Sequence, residues 1–500
     1  MRISETKKGV VLSYALLLCN TIYGLLVTPF ILKYVGANSY GVYKSVSSLS
    51  ASLAVMDLGL GATMTRYMAQ YHVTNEKDKA NNFTAMIFVQ FSIVAAVIAL
   101  GGGIVYGLIP SIFGATFGTA EIGLSKILLV FLILNMILRL FENLLSGAAS
   151  GYERFTVANG VKLLSIITKF SLLFILLPVT QNVIVIVVLE CILVTLGIVF
   201  LGWYMIYRME IKPKLEKWDK VVFKESMMYT VLMFIQTITV QFNGNVDNVL
   251  IGAKLGAEYV TIYSMAIVIF GMYEQLSGSI AGVMLPNMTR RIVEKQSTAQ
   301  LQQGVEKVGR YQFFLLAAAM GGFIALGREF YHLWLGDSYS DCYWLTLMLI
   351  IPVTFPMVQN VSLSILRAQN KMGYRTVTLA ISCMLNIACT VIGIKLWGYW
   401  GAALGTACAT VSNTILMNIY YRKHLSFQIW KMYCRIFDKT WICAIVATIC
   451  TLISGKLFEI SWFSFLFRGT IFVLIYGVLM LMWEVTDNEK QAIKRLVLKT

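Results

Sequence analysis

Long apolar runs, each interrupted by a short polar or charged interval, recur along the whole of this 500-residue chain. A helix rises about 1.5 Å per residue, so crossing roughly 30 Å of hydrocarbon takes about 20 predominantly apolar residues. Runs of that length fall near 9–33, 40–66, 82–109, 122–149, 156–178, 182–207, 224–250, 258–285, 306–327, 342–366, 374–396, 399–421, 440–458 and 463–483. The pattern predicts an all-α polytopic membrane protein with about fourteen transmembrane helices. The first two spans fold back on a turn at Gly36-Ala37-Asn38. Pro29, Pro352 and Pro356 fall inside spans, where each removes a backbone hydrogen bond and bends the helix, as a static kink or as a hinge.

Composition agrees with this pattern. The chain is 58% hydrophobic and only 13% charged, with a mean hydropathy of +0.73, which excludes an ordinary soluble domain. The net charge of +16 does not point to nucleic acid, because the basic residues sit in alternate loops rather than in one patch. By our count, roughly 30 Lys and Arg lie on the side of the N-terminus and roughly 7 on the other, which predicts that both termini are cytoplasmic; the expected location is the cytoplasmic (plasma) membrane. The nine cysteines show no CxxC spacing and read as small packing residues, so no metal or redox site is expected. The first apolar run is too long for a signal-peptide core and is read as a retained helix.

Two cytoplasmic intervals are longer than turns. Arg208 to Lys224 is a basic, proline-containing connector, and Met288 to Arg310 alternates apolar and polar residues as an interfacial amphipathic helix would. External loops are short; the longest expected, from Gly327 to Cys342, spans about fifteen residues, too few for a catalytic domain. The chain also repeats itself. Gly36, Ala37 and Tyr43 return as Gly256, Ala257 and Tyr263, each between the first and second helices of a six-helix unit. An even number of helices per unit makes the two repeats parallel. The expected division is an N-lobe at 1–207, a linker at 208–223, a C-lobe at 224–425, and two further helices with a cytoplasmic tail at 426–500.

The segments that carry the repeat also carry a resemblance. YGLLVTPFILKYVGANSYGVY from Tyr23 to Tyr43, the DLGLG run before Thr65-Arg66-Tyr67, VDNVLIGAKLGAEYVTIYS from Val246 to Ser264, LRAQNKMGY from Leu366 to Tyr374 and GYWGAALGTA from Gly398 to Ala407 resemble polysaccharide flippases of the Wzx type. That superfamily also holds multidrug extruders and lipid II flippases. The resemblance covers residues 10 to 425 and implies two six-helix lobes around a central cavity that opens alternately to either side. It implies a polyprenyl-diphosphate-linked oligosaccharide as cargo, polysaccharide polymerase or assembly proteins as partners beside the bilayer itself, and no cofactor beyond H+ or Na+ coupling.

A diphosphate crossing hydrocarbon needs a wet path with cations to replace its counterions. The candidates are Arg139 in the fourth span and Lys162 and Lys169 in the fifth; the last two are seven residues apart and share a helical face. The alternative is that Lys162 reaches back to the cytoplasmic surface while Arg139 pairs with Glu142. Coupling or gating candidates are Asp57, Asp247 and Glu274, with Asn243 and Asn245 enriching the surroundings of Asp247 in oxygen. Asp247 and Glu274 are read either as a cation or sugar site or as partners of Lys169 and Arg139; Asp57 is read either as a coupling site or as a packing site beside Gly59 and Gly61. Glu190, nearer the outer surface, is open to the same two readings, and Arg468, in the last span, is read at a lipid headgroup and outside the site.

Two other functions compete. A small-cation extruder of the same fold would favour an acidic, aromatic cavity over a basic one. A membrane polymerase or ligase would need a positioned acid or base, whereas His72, His332 and His424 are dispersed among loops. No GxxxxGK[ST] loop supports a nucleotide-driven pump.

Overall fold

The computed structural model describes residues 2–53, 60–218, 220, 223–224, 241, 243–294, 296–369 and 371–485. They divide into two compact units, Met1–Ser264 and Met265–Thr500. The first holds α1 (Arg2–Val35), α2 (Ala37–Leu53), α3 (Leu60–Thr74), α4 (Lys77–Phe113), α5 (Thr119–Gly151), α6 (Phe155–Thr180) and α7 (Ile184–Tyr207). A further helix, α8, runs over 243–254. Helix α9 (Ala257–Val293) carries the chain into the second unit, followed by α10 (Thr298–Leu335), α11 (Asp341–Met357), α12 (Ser362–Ala368), α13 (Gly373–Trp397), α14 (Tyr399–Leu425), α15 (Ile429–Phe437), α16 (Thr440–Ser454) and α17 (Trp462–Trp483).

Among the described residues eleven helices are long and apolar enough to cross a membrane, and a twelfth if α15 and α16, bent by 43°, form one span. The two other expected spans, 40–66 and 224–250, run through residues outside those described. The protein is thus an all-helical polytopic chain. Its helices outrun their apolar windows, because the flanking Lys, Glu and Gln are good helix formers and reach water. One consequence corrects the sequence reading at 288–310. Among the described residues no separate helix lies there; α9 continues to Val293 and α10 starts at Thr298 behind a capping box of Ser297 and Gln300. A second concerns the external loop at 327–342, since α10 runs to Leu335 and only a single 3₁₀ turn, Asp337–Tyr339, precedes α11. The span expected at 342–366 instead ends at Met357, immediately after Pro356, and resumes as α12.

The repeated turns are built alike. Gly36 and Gly256 both sit between two helices in the left-handed region, at φ of 83° and 110°, where a Cβ is disfavoured. They also lie against each other: the Thr261 hydroxyl donates to the Ala37 carbonyl at 2.6 Å, and a Cβ on Gly41 would fall 1.8 Å from the Ala257 carbonyl oxygen. The connector after α7 is held in the same unit. Asn81 Oδ1 accepts from the Lys212 amide at 2.7 Å, and Asn82 Oδ1 accepts from those of Glu216 and Lys217 at 2.8 and 3.0 Å. The Lys77 ammonium beside Glu210 holds that carboxyl below the usual carboxylate range.

In the second unit, α10 is the axis. Helix α17 runs antiparallel along it and is fastened at three heights: Arg468 to Glu329, the Tyr476 hydroxyl to the Phe314 carbonyl at 2.8 Å, and Glu484 to Arg310 at 3.2 Å. Arg468 is only 2% exposed. Its place is therefore in the protein interior and not at a lipid headgroup, because a guanidinium with a carboxylate partner is more stable buried against it than facing hydrocarbon.

Helices α13 and α14 cross so closely that Gly401 and Gly393 meet backbone to backbone; a Cβ on Gly401 would lie 2.0 Å from the Gly393 carbonyl carbon. With Gly405 against Thr390, this is a small-residue crossing of the GxxxG kind. Gly401→Leu is expected to force the helices apart and destabilise the protein by about 1–3 kcal/mol. Thermal unfolding in detergent checks this, and an unchanged midpoint would show that the crossing tolerates a side chain.

Candidate functional site

Helices α1, α5, α6 and α7 enclose a cavity of about 340 Å³ within the first unit. Helix α5 brings Arg139, with Asn135 and Glu142 at the i−4 and i+3 positions of the same face. Helix α6 brings Lys162 and Lys169, whose seven-residue spacing sets both toward the cavity. Gln181 then takes a left-handed cap and the Asn182 side chain accepts from the Ile184 amide at 2.9 Å, turning the chain into α7. That hairpin brings Glu190 back to face the cations.

Glu190 is the centre of the network. It accepts from Lys169 Nζ at 2.5 Å and from the Arg139 guanidinium. Arg139 also donates to Asn135 Oδ1 at 2.9 Å and lies 3.9 Å from Glu142. Lys169 stands over the Tyr23 ring at 5.4 Å, a cation–π contact that brings in α1. Lys162 lines the same cavity and makes no ion pair among the described residues. Three cations therefore face two carboxylates, Glu142 and Glu190, leaving an excess of one positive charge. Such an excess inside an apolar helix bundle favours an anion with several oxygens.

The three cations expected from sequence are thus brought to one place, and the i,i+3 contact of Arg139 with Glu142 exists alongside the cavity placement. The sequence set Glu190 nearer the outer surface and left its role open; the structure places it in the cavity wall, paired with Lys169. The signal that was available is its position in an otherwise apolar span, since an acid there needs a partner.

The acidic and amide candidates lie elsewhere. Asp247 is buried and accepts from the Tyr263 hydroxyl at 2.7 Å. Its neighbour Asn248 donates to Ser48 Oγ at 2.9 Å and accepts from Ser264 Oγ at 3.4 Å. These bonds tie α8 to α9 and α2, so Asp247 is engaged in the turn region and not with Lys169 or Arg139, which pair with Glu190. Asn245 donates to the carbonyl of Gln241, four residues earlier, at 2.9 Å. Asn243 is partly buried on α8. Glu274 is partly buried on α9 in the second unit, beside Tyr273, whose hydroxyl meets that of Thr354 at 2.6 Å. Asp57 and Gly59 lie outside the described residues. Gly61, just beyond them, packs closely on α5, where a Cβ on Gly147 would lie 2.6 Å from the Gly61 carbonyl oxygen.

Comparison with known proteins agrees with this architecture. The profile of the family described as "Polysaccharide biosynthesis protein" matches residues 38–344. The chain is 20% identical to "Uncharacterized membrane protein EpsK" of Bacillus subtilis (strain 168), over 95% of this chain and 94% of that protein. Its structure is similar to that of "Lipid II flippase MurJ, inward closed conformation", with a TM-score of 0.74 at 15% identity over 95% of this chain and 98% of that one. It is also similar to the inward-facing conformation of a multidrug resistance MATE family transporter of the MOP superfamily, with a TM-score of 0.62 at 13% identity over 82% of this chain and 99% of that one. At these identities the structural likeness establishes the fold. With more than half of its length inside the family profile, this chain is a multi-pass, all-helical membrane protein that belongs to the polysaccharide biosynthesis protein family.

Proposed function

We propose that this protein is a flippase that moves a polyprenyl-diphosphate-linked oligosaccharide from the cytoplasmic to the outer leaflet during surface polysaccharide biosynthesis. The observation that carries the reading is the convergence of Arg139, Lys162 and Lys169 on one cavity of the first unit. The family match and the fold shared with a lipid II flippase support it. In this reading Glu190 stands in for the cargo. It occupies the oxygen position between Arg139 and Lys169 when the site is empty, and the diphosphate displaces it on binding. The displaced carboxylate competes for both cations again, which favours release. Lys162, without an ion pair among the described residues, takes the incoming anion first. Asp57 and Glu274 remain the candidates for coupling to H+ or Na+, while Asp247 is held by the Tyr263 hydroxyl of α9. In this reading the N-terminus is cytoplasmic, in line with the charge distribution of the loops, and the N-lobe at 1–207 and C-lobe at 224–425 alternate access to the two sides.

Reconstitution into proteoliposomes tests this directly. Polyprenyl-diphosphate-linked oligosaccharide added to one leaflet is expected to become accessible on the other, and Arg139→Ala is expected to slow that movement by about tenfold or more through loss of charge-assisted hydrogen bonds. Absence of movement, with ion-driven efflux of organic cations in its place, would overturn the flippase reading in favour of an extruder.

A further inference from the structure

On the flank of α6 and α7 next to the cation cavity lies a second concavity of about 470 Å³. We infer that this groove is the seat of the polyprenyl chain of the cargo, so that one lipid is held at two adjoining places, its diphosphate among the cations and its chain along α6 and α7. The inference rests on the proposed function and adds to it a chain-binding subsite.

The two concavities divide the helices by face. On α6 the residues at 162, 165, 166 and 169 line the cation cavity, while 157, 160, 161, 164 and 168 line the groove. Each set follows the three- and four-residue spacing of one helical stripe. Ser165 on α6 and Leu193 on α7 line both, so the groove adjoins the charged cavity along a shared edge. The charged groups stay on their own side, and no Lys, Arg, Asp or Glu lines the groove. Its depth comes from Gly160 and Gly197, and exposed Leu164, Leu196 and Phe200 stand around it. Behind Gly197 the wall is thin, because a Cβ there would lie 3.5 Å from Glu142 Oε1 of the cation cavity.

This lining decides the occupant. Sugar hydroxyls would lose their hydrogen bonds to water and find few partners there, whereas an isoprenoid chain gains contact without such a cost. From Thr156 to Thr168 the groove follows α6 for about 18 Å, enough for a chain to lie along the helix rather than insert end-on. Relative to the cavity the groove is displaced toward the start of α6 and the end of α7, the same end of an antiparallel pair. By the charge distribution of the loops that end faces the cytoplasm, the leaflet from which the cargo is loaded.

Gly160 provides a clean test, because it lines the groove and a Cβ added there meets nothing within 4 Å. Full-length protein in nanodiscs is titrated with three probes: a long-chain polyprenyl diphosphate, geranyl diphosphate and inorganic diphosphate. Gly160→Phe is expected to weaken the long-chain probe by about tenfold and leave inorganic diphosphate unchanged; Gly160→Ala is expected to bind all three like the wild type. Lys169→Ala is expected to weaken all three. Unchanged long-chain affinity in Gly160→Phe, or an equal loss of all three probes, overturns the groove as the chain site while the flippase reading stands. A photoreactive diacyl phospholipid that labels the groove as well as a photoreactive polyprenyl probe overturns it too, by showing a general lipid site. Failure of the wild type to bind any diphosphate overturns the flippase reading itself.

Discussion

Lys169→Ala is expected to reduce transport of a diphosphate-linked glycan by about 10- to 100-fold while the protein still inserts and folds. Lys169 donates to Glu190 at 2.5 Å and is mostly shielded, with 16% of its side chain exposed. A hydrogen bond from a charged donor contributes about 1.5–3 kcal/mol where water is scarce, and about 1.4 kcal/mol is a factor of ten. A structural ion pair would also suffer from this substitution, so the partner variant decides between the two roles. Glu190→Gln keeps both cations and removes their internal competitor; diphosphate is expected to bind more tightly, by about tenfold, and to leave more slowly. If Lys169 and Glu190 merely brace each other, the double variant Lys169→Ala/Glu190→Gln should recover activity, because the two charges are removed together and Arg139 keeps Glu142 at 3.9 Å. If the cation serves the cargo, the double variant remains as slow as Lys169→Ala. Transport by proteoliposome assay, read together with the thermal midpoint of each variant, separates these cases.

The second large effect concerns stability and lies in the other unit. Arg468 donates to both carboxylate oxygens of Glu329 at 2.5 and 2.6 Å, and also to the Thr451 carbonyl at 3.0 Å and the Ser454 hydroxyl at 3.3 Å. The two partners are not equally hidden: 2% of the arginine side chain is exposed against 20% of the glutamate. Removing one partner of a buried pair costs about 3–5 kcal/mol, because the other charge is left without compensation. The loss should therefore be larger for Glu329→Gln, which strands a fully enclosed guanidinium, than for Arg468→Met, which leaves a carboxylate with some access to its surroundings. Replacing both by apolar residues of similar volume, as in Arg468→Met/Glu329→Leu, is expected to come close to the wild type. Thermal unfolding in detergent should rank the proteins as wild type and double variant, then Arg468→Met, then Glu329→Gln. The reverse order of the single variants would mean that the guanidinium finds other partners and that the pair does not anchor α17 on α10.

Reading the chain before its structure established the class of the protein and much of its layout. Hydropathy is a local property: about 20 apolar residues in a row satisfy every backbone group only as a helix in lipid, whatever the rest of the chain does. The repeated Gly-Ala turn was legible for a similar reason, since Gly36 and Gly256 each end a helix in a backbone conformation that glycine adopts freely. Charged residues at depth announced themselves by their cost, and Arg139, Lys162 and Lys169 do share a cavity. The carboxylate that Arg139 and Lys169 share was legible as a charged residue in an apolar span, but not as their partner. Glu190 is 51 residues from Arg139 and 21 from Lys169, and it reaches them only because α6 and α7 fold back as a hairpin. Arg468 was misplaced for the same reason, as Glu329 is 139 residues away. What the sequence determined alone was which segments must be helices in lipid and which positions could not tolerate being unpaired. Which charge answers which was decided by the tertiary structure, because an ion pair is stable only where packing excludes water around both partners at once.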